Sequence, residues 1–197
     1  MDQVYHAILY IMPTSNYPTI GIALGSGGAK GLSHIGVLKT LEKHDIAISY
    51  VAGSSIGSLI GAYYAAYPNL SDLEDLIFSF NKRKGFMLFD PILRGGLLAG
   101  NKIEKYISDM LEDATFEKLR IPFIAIATDL STAEEVLLSK GSLTKAIRAS
   151  ISVPAVFQPV HYEGKLLSDG GLSDPVPTQV VRNMGSDIVI AVNVEST

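Results

Sequence analysis

Gly53, Ser54, Ser55, Ile56 and Gly57 form a G-x-S-x-G pattern with Ser55 at its centre. Apolar residues from Ile46 to Ala52 lead into the pattern and a run of small and apolar residues, Ile56 to Ala66, leads out of it. Ser55 is therefore expected on a sharp strand-to-helix turn, where neighbours without bulk let one hydroxyl stand clear of the backbone. A serine in that setting can attack a carbonyl carbon and carry the acyl group as a covalent intermediate. It then needs donors for the oxyanion and an acceptor for its proton.

Donors are offered by a second glycine-rich turn, Gly25, Ser26, Gly27, Gly28, Ala29, Lys30 and Gly31, which follows the apolar run Thr19 to Leu24. A turn between strand and helix presents backbone N–H groups under a helix dipole and so can hold an anion. A phosphate-binding loop needs a lysine after its last glycine, but Lys30 precedes Gly31 and Leu32 follows, which excludes that motif. Gly25, Gly27 and Gly31 fit a loose dinucleotide pattern, yet the acidic residue such a site wants at the end of the next strand is replaced by Gly53, Ser54 and Ser55. The other readings are an oxyanion hole built from the N–H groups of Gly27 and Gly28, and a turn that merely permits close packing.

For the proton acceptor the usual histidine is poorly placed. His6, His34, His44 and His161 all precede the best acid, Asp169, whereas a hydrolase of the serine, acid, histidine order needs one after it. A carboxylate acting directly remains. Asp169 ends a short strand and is followed by Gly170 and Gly171, which allow a close approach to another loop. Asp129 is its rival, and Asp174, before Pro175, reads as a helix cap. His34 lies near enough to the first turn to brace it.

The elements that must position these groups alternate. Strands are expected over 19–24, 46–52, 123–128, 135–138 and 187–194, with a short one over 165–168 and His161 in a hairpin before it. Helices are expected up to Lys43, over 56–66, from Ser71 or Asp72 to Phe80, from Asn101 with Glu104 as a capping box, over 142–150 and over 175–184. The apolar stripe Ile103, Tyr106, Ile107, Met110 and Leu111 reads as core. This order implies a three-layer α/β/α sandwich with a largely parallel central sheet. A leader over 1–18 and one domain over 19–197 are the expected division.

Composition narrows the function. A net charge of -4 leaves no basic footprint, so nucleic acid is not an expected partner. The absence of cysteine excludes disulfides and thiolate metal sites and fits the cytoplasm. The apolar stretch Ala7 to Met12 lacks a basic leader and is a poor signal peptide.

Together the glycine turn, the Gly53–Gly57 elbow, the segments 121–130 and 148–157, and the Asp169-Gly170-Gly171 triplet resemble the patatin-like phospholipase family, in particular its compact bacterial members. The resemblance implies Ser55 as nucleophile, Asp169 as proton acceptor, Gly27 and Gly28 as oxyanion donors, and Gly25, Gly31, Gly53, Gly57, Gly170 and Gly171 as supports of the motifs. It further implies hydrolysis of lipid acyl esters, with a phospholipid or lysophospholipid as substrate and neither metal nor organic cofactor. Ser26 stands where the family's turn often has glycine, and Ala133 where its hairpin after Asp129 often has one. A lid with peripheral membrane contact is expected from Phe86 to Leu98, after the basic triplet Lys82, Arg83 and Lys84. The alternative is a regulatory or binding protein that keeps the fold and its dyad. The sequence leaves the head group, the chain length and the oligomeric state open.

Overall fold

The structure, a computed structural model, describes residues 18–67, 70, 72–73 and 98–195. The basic triplet Lys82, Arg83 and Lys84, the lid expected from Phe86 to Leu98 apart from Leu98 itself, and nearly all of the helix expected up to Phe80 lie outside the described residues. The elements run β1 (Ile20–Leu24), α1 (Ser33–Lys43), β2 (Tyr50–Ser54), α2 (Ile56–Ala66), α3 (Asn101–Leu111), β3 (Phe123–Asp129), β4 (Glu135–Leu138), α4 (Leu143–Ser150), β5 (Val160–Tyr162), β6 (Lys165–Asp169), α5 (Thr178–Asn183) and β7 (Ile188–Val192).

One sheet joins all the strands. β7, β1, β2 and β3 are parallel neighbours, and antiparallel β4 and β6 both pair with β3, with β5 beyond β6. Alternation along the strands divides the core into two layers. Ile22, Leu24, Val51, Ala125 and Ala127 pack with Ile35 and Leu38 of α1, Ile60 and Tyr63 of α2, Ile107 and Leu111 of α3, and Ala146 and Ile147 of α4. The intervening residues Ala23, Ala52 and Ile126 face the other way and meet Val180 and Val181 of α5. Being covered on both faces, β1 and β2 read as unbroken apolar runs. The domain is thus the α/β/α sandwich anticipated above.

Several boundaries differ for local reasons. β2 begins at Tyr50, not Ile46, because Ile46 N–H bonds back to Leu41 O at 2.9 Å to close α1 and only Tyr50 reaches the register of Gly21. α3 has no capping box: its N-cap is Gly100 at φ 81°, a left-handed position glycine adopts without strain, and Asn101 is already helical. α5 starts at Thr178, and Asp174 instead accepts from Val176 N–H at 3.2 Å in a loop turn. β7 spans Ile188–Val192, shorter than the expected 187–194, and is half-buried to exposed. Among the described residues it pairs only with β1, and Ile188 is 45% exposed. Ala133 holds φ 61° in the turn after β3, where its N–H bonds Asp129 O at 2.8 Å, so the departure from glycine stays confined to a turn.

Candidate active site

The two candidate residues of the dyad meet because of one strand. β4 occupies one edge of β3 from Ala125 to Thr128, so β2, on Phe123 to Ile126, and β6, on Ala127 to Asp129, each overlap that stretch and must share the other edge end to end. On it Ile126 pairs with Ser54 and Ala127 with Asp169. The end of β2 and the end of β6 therefore abut on successive rungs, and residues 114 apart in sequence become neighbours. A Cβ on Gly170 would collide with Ile126 O and lie 2.7 Å from Ser54 Oγ, which is why the junction needs glycine.

Ser55 occupies the turn between β2 and α2 at φ 53° and ψ -122°, a strained conformation for a residue with a side chain. Its N–H donates to Ser150 Oγ at 3.0 Å, and its carbonyl accepts from Ser58 Oγ at 2.6 Å. A Cβ on Gly57 would overlap the carbonyl of Leu24, so the elbow's second glycine permits contact between α2 and the end of β1. The Ser55 hydroxyl donates to Asp169 Oδ2 at 2.6 Å, while Oδ1 accepts from Gly171 N–H at 2.8 Å. Both residues are buried. Burial pushes the Asp169 carboxyl above the usual carboxylate range, the bonds from Ser55 and Gly171 pull it back, and the charge of Glu195 raises it again. An aspartate with raised proton affinity is better matched to accepting a hydroxyl proton.

No described histidine takes that part. His34 is fully buried and its ring bonds Gly25 O at 2.8 Å through Nε2, which must carry the proton because a carbonyl only accepts. Burial lowers its proton affinity against the opposing pull of that carbonyl, so a neutral ring braces the glycine turn. His44 and His161 are exposed. Asp129, the rival acid, accepts from Ser131 N–H at 2.9 Å and lies 3.8 Å from Lys165 Nζ. Its bonds are local to its own turn and to β6.

Beside Ser55 opens an apolar cavity of about 340 Å³, walled by Gly28, Leu32, Ile56, Leu59, Ile103, Tyr106, Met110, Ile151, Val153 and Phe157. The α3 stripe is core as read, with Ile107, Met110 and Leu111 in the main cluster and Ile103 and Tyr106 packed against it, and Ile103, Tyr106 and Met110 also wall this cavity. Gly28, at φ 55°, shares the cavity wall with Ser55. Gly27, at φ 145°, stands behind it, with Val194 Cγ2 2.5 Å from where its Cβ would be. A polar hollow of about 410 Å³ on the opposite side of α3, lined by Glu104, Lys105 and Ser108, contains none of the candidate residues. No cluster of His, Asp or Glu among the described residues is arranged to hold a metal ion.

Ser150, Ser152 and Glu195 escaped sequence reasoning. Ser150 holds the Ser55 backbone, and Ser152 O accepts from Asp169 N–H at 3.1 Å and from Ser168 Oγ at 2.7 Å, so the end of α4 ties both segments of the dyad together. Arg148 is 2% exposed and is a structural charge: it donates to Ser152 Oγ at 2.7 Å and to the carbonyls of Ala99, Gly100 and Gln158, with Phe157 under its guanidinium. Glu195 accepts from Ser26 Oγ at 2.6 Å. The serines at 150 and 152 sit within a quoted motif, but no pattern marked Glu195.

Comparison with known proteins agrees with this architecture. The chain is 38% identical over 184 residues to an uncharacterized NTE family protein of Mycobacterium tuberculosis, covering 93% of this chain and 51% of that one. It is 34% identical over 185 residues to human patatin-like phospholipase domain-containing protein 6, covering 90% of this chain and 13% of the relative. Neuropathy target esterase sws of Drosophila melanogaster is 33% identical over 186 residues, with 90% and 13% covered. The chain spans about half the length of the mycobacterial protein. Among solved structures, VipD from Legionella pneumophila shares the fold with a TM-score of 0.56 at 14% identity, covering 80% of this chain and 46% of that one. The family model for patatin-like phospholipases matches residues 22–182, and on that match and these identities the chain belongs to the patatin-like phospholipase family.

Proposed function

We propose that the chain is a serine lipid acyl hydrolase of the phospholipase or lysophospholipase type. The observation that carries the reading is the 2.6 Å bond from Ser55 Oγ to Asp169 Oδ2 at the wall of an apolar cavity sized for an acyl chain. Ser55 Oγ attacks the ester carbonyl as its proton passes to Asp169. The oxygen that becomes negative is met by the N–H groups of Gly27 and Gly28, each such donor being worth ~3 kcal/mol of transition-state stabilisation. Asp169 returns the proton to the departing alcohol, leaving the acyl group on Ser55. Water, deprotonated by Asp169, then attacks the acyl-enzyme, and Asp169 returns that proton to Ser55 Oγ as the fatty acid leaves. The apolar walls from α3 and α2 hold the acyl chain out of water throughout, which fits a lipid better than a soluble polar ester. Such a substrate is reached at a membrane surface by peripheral contact. No helix among the described residues is long and apolar enough to cross a membrane.

Intact mass after treatment with a fluorophosphonate tests the proposal. Wild type is expected to gain one adduct, Ser55→Ala none, and Asp169→Asn one at a rate lower by about 10²- to 10⁴-fold, the usual contribution of a positioned base. Labelling of Ser55→Ala, or no labelling of folded wild type, overturns it.

A further inference from the structure

The tail after β7 runs back against the site. Gly25 N–H donates to Val192 O at 3.0 Å, Val194 Cγ2 is 2.5 Å from the position of a Gly27 Cβ, and Glu195 Oε1 accepts from Ser26 Oγ at 2.6 Å. Ser26 is also held from the other side, its N–H donating to Pro175 O at 2.8 Å. Gly171 touches both Ser26 and the dyad: a Cβ there would be 3.0 Å from Ser26 Oγ and 3.0 Å from Asp169 Oδ1. The Ser26 hydroxyl thus joins a carboxylate 169 residues away in sequence to the rim of the site.

Resting on the hydrolase reading, we infer that Glu195 is a positioning residue for this site. It anchors the turn that carries Gly27 and Gly28 through Ser26, and it sets a negative charge close to Asp169. Both effects serve the same step. A fixed turn keeps its N–H groups aimed at the position the oxyanion takes, and preorganised donors contribute more than ones that must be ordered during the reaction. A neighbouring negative charge disfavours ionised Asp169 and so strengthens it as a proton acceptor, consistent with the direction in which Glu195 moves that carboxyl.

The other charged groups on elements packed around the end of β6 are engaged elsewhere or face solvent. Arg148 of α4 is bound to Ser152 and three carbonyls, Lys165 of β6 lies beside Asp129 of β3, Asp174 accepts from Val176 N–H, and His161 of β5 is exposed. Ser55, Gly171 and Glu195 remain as the groups acting on Asp169.

The test follows the Asp169 carboxyl directly. Protein labelled with carbon-13 at the aspartate carboxyls is titrated by NMR as wild type, Glu195→Gln and Glu195→Ala, with Asp169→Asn identifying the signal. The pH dependence of hydrolysis of a simple acyl ester is measured alongside. Glu195 is exposed, so neither change at that position threatens folding. The Asp169 midpoint is expected to move to lower pH in both variants, because both remove the charge. Turnover is expected to fall about tenfold in Glu195→Ala with KM nearly unchanged, and by less in Glu195→Gln, whose amide oxygen still accepts from Ser26. A midpoint that stays in place in both variants, or Glu195→Ala turning over as fast as wild type, overturns the inference. If wild type shows no turnover dependent on Ser55, the hydrolase reading fails separately, and the carboxyl titration still decides whether Glu195 acts on Asp169.

Discussion

Substituting Gly57 by alanine tests whether the contact between α2 and β1 sets the geometry of the dyad. The new methyl would overlap Leu24 O and lie 2.7 Å from Gly25 O, both backbone atoms that cannot rotate away. Restoring ordinary carbon–oxygen contact requires a displacement of about 1 Å between the start of α2 and the end of β1. Ser55 immediately precedes α2, so the displacement is passed to its 2.6 Å bond with Asp169. A misplacement of that size costs on the order of 10²-fold in rate, and overpacking of this kind costs about 1–3 kcal/mol in stability. Gly36→Ala is the matched control. Gly36 is exposed in the interior of α1, and a Cβ there would meet nothing within 4 Å. The same chemical change should therefore stabilise the protein by about 0.5–1 kcal/mol and leave the site unaltered. Labelling rates with a fluorophosphonate, read by intact mass, and thermal melts followed by circular dichroism measure both quantities. Folded Gly57→Ala labelling within about threefold of wild type would refute the chain of reasoning from contact to displacement to rate.

Asp169→Asn should raise the melting temperature near neutral pH while it slows labelling. The folded carboxyl binds its proton more tightly than the unfolded one, so the ionised form costs stability above the folded pKa and the cost is absent below the unfolded value of about 4. Melts of both proteins should therefore converge as the pH is lowered past that value, and a gain that persists in acid would contradict the assignment. Arg148→Met should destabilise by about 3 kcal/mol in chemical denaturation, since it removes the donor from the half-buried carbonyls of Ala99 and Gln158 and from the buried Ser152 hydroxyl, and leaves the Gly100 carbonyl only its bond from Glu104 N–H. Met110→Trp places bulk against the cavity beside Ser55, and it should lower turnover on long-chain esters relative to short ones by about tenfold, measured on a chain-length series.

The elbow was legible because its constraints are local: Gly53, Ser55 and Gly57 lie within one turn, and their spacing alone states which atom must clear the backbone. Asp169 was legible only as the better of two candidate acids. What separates it from Asp129 is the rung of β3 on which β6 ends, a long-range pairing that no spacing encodes. Periodicity showed that α3 has an apolar face, but it says nothing about what that face meets. Ile107 meets protein and Tyr106 meets a cavity, two residues of the same character with different work. The N-terminus of α3 was misplaced by one residue because Asn101 and Glu104 satisfy the capping pattern while Gly100, at φ 81°, can start the helix without it. Glu195 had no signal at all, since a lone acid after a strand is ordinary until Ser26 is found against it.

The shared edge of β3 has a consequence for how function is lost. Side chains change face at every residue along a strand, so β6 cannot slide by one position and keep Asp169 near Ser55; a single step turns the carboxylate to the opposite side of the sheet. Small slips therefore have no graded counterpart in activity. Among the described residues the β5–β6 hairpin pairs with the rest of the sheet over the three rungs from Ala127 to Asp129, with one further bond from Leu130 N–H to Leu166 O, which makes it a unit able to detach before the body of the domain melts. Under the proposed dyad, catalytic competence becomes a reporter of that one attachment, expected to be extinguished by mild denaturant at concentrations where most of the helical signal survives.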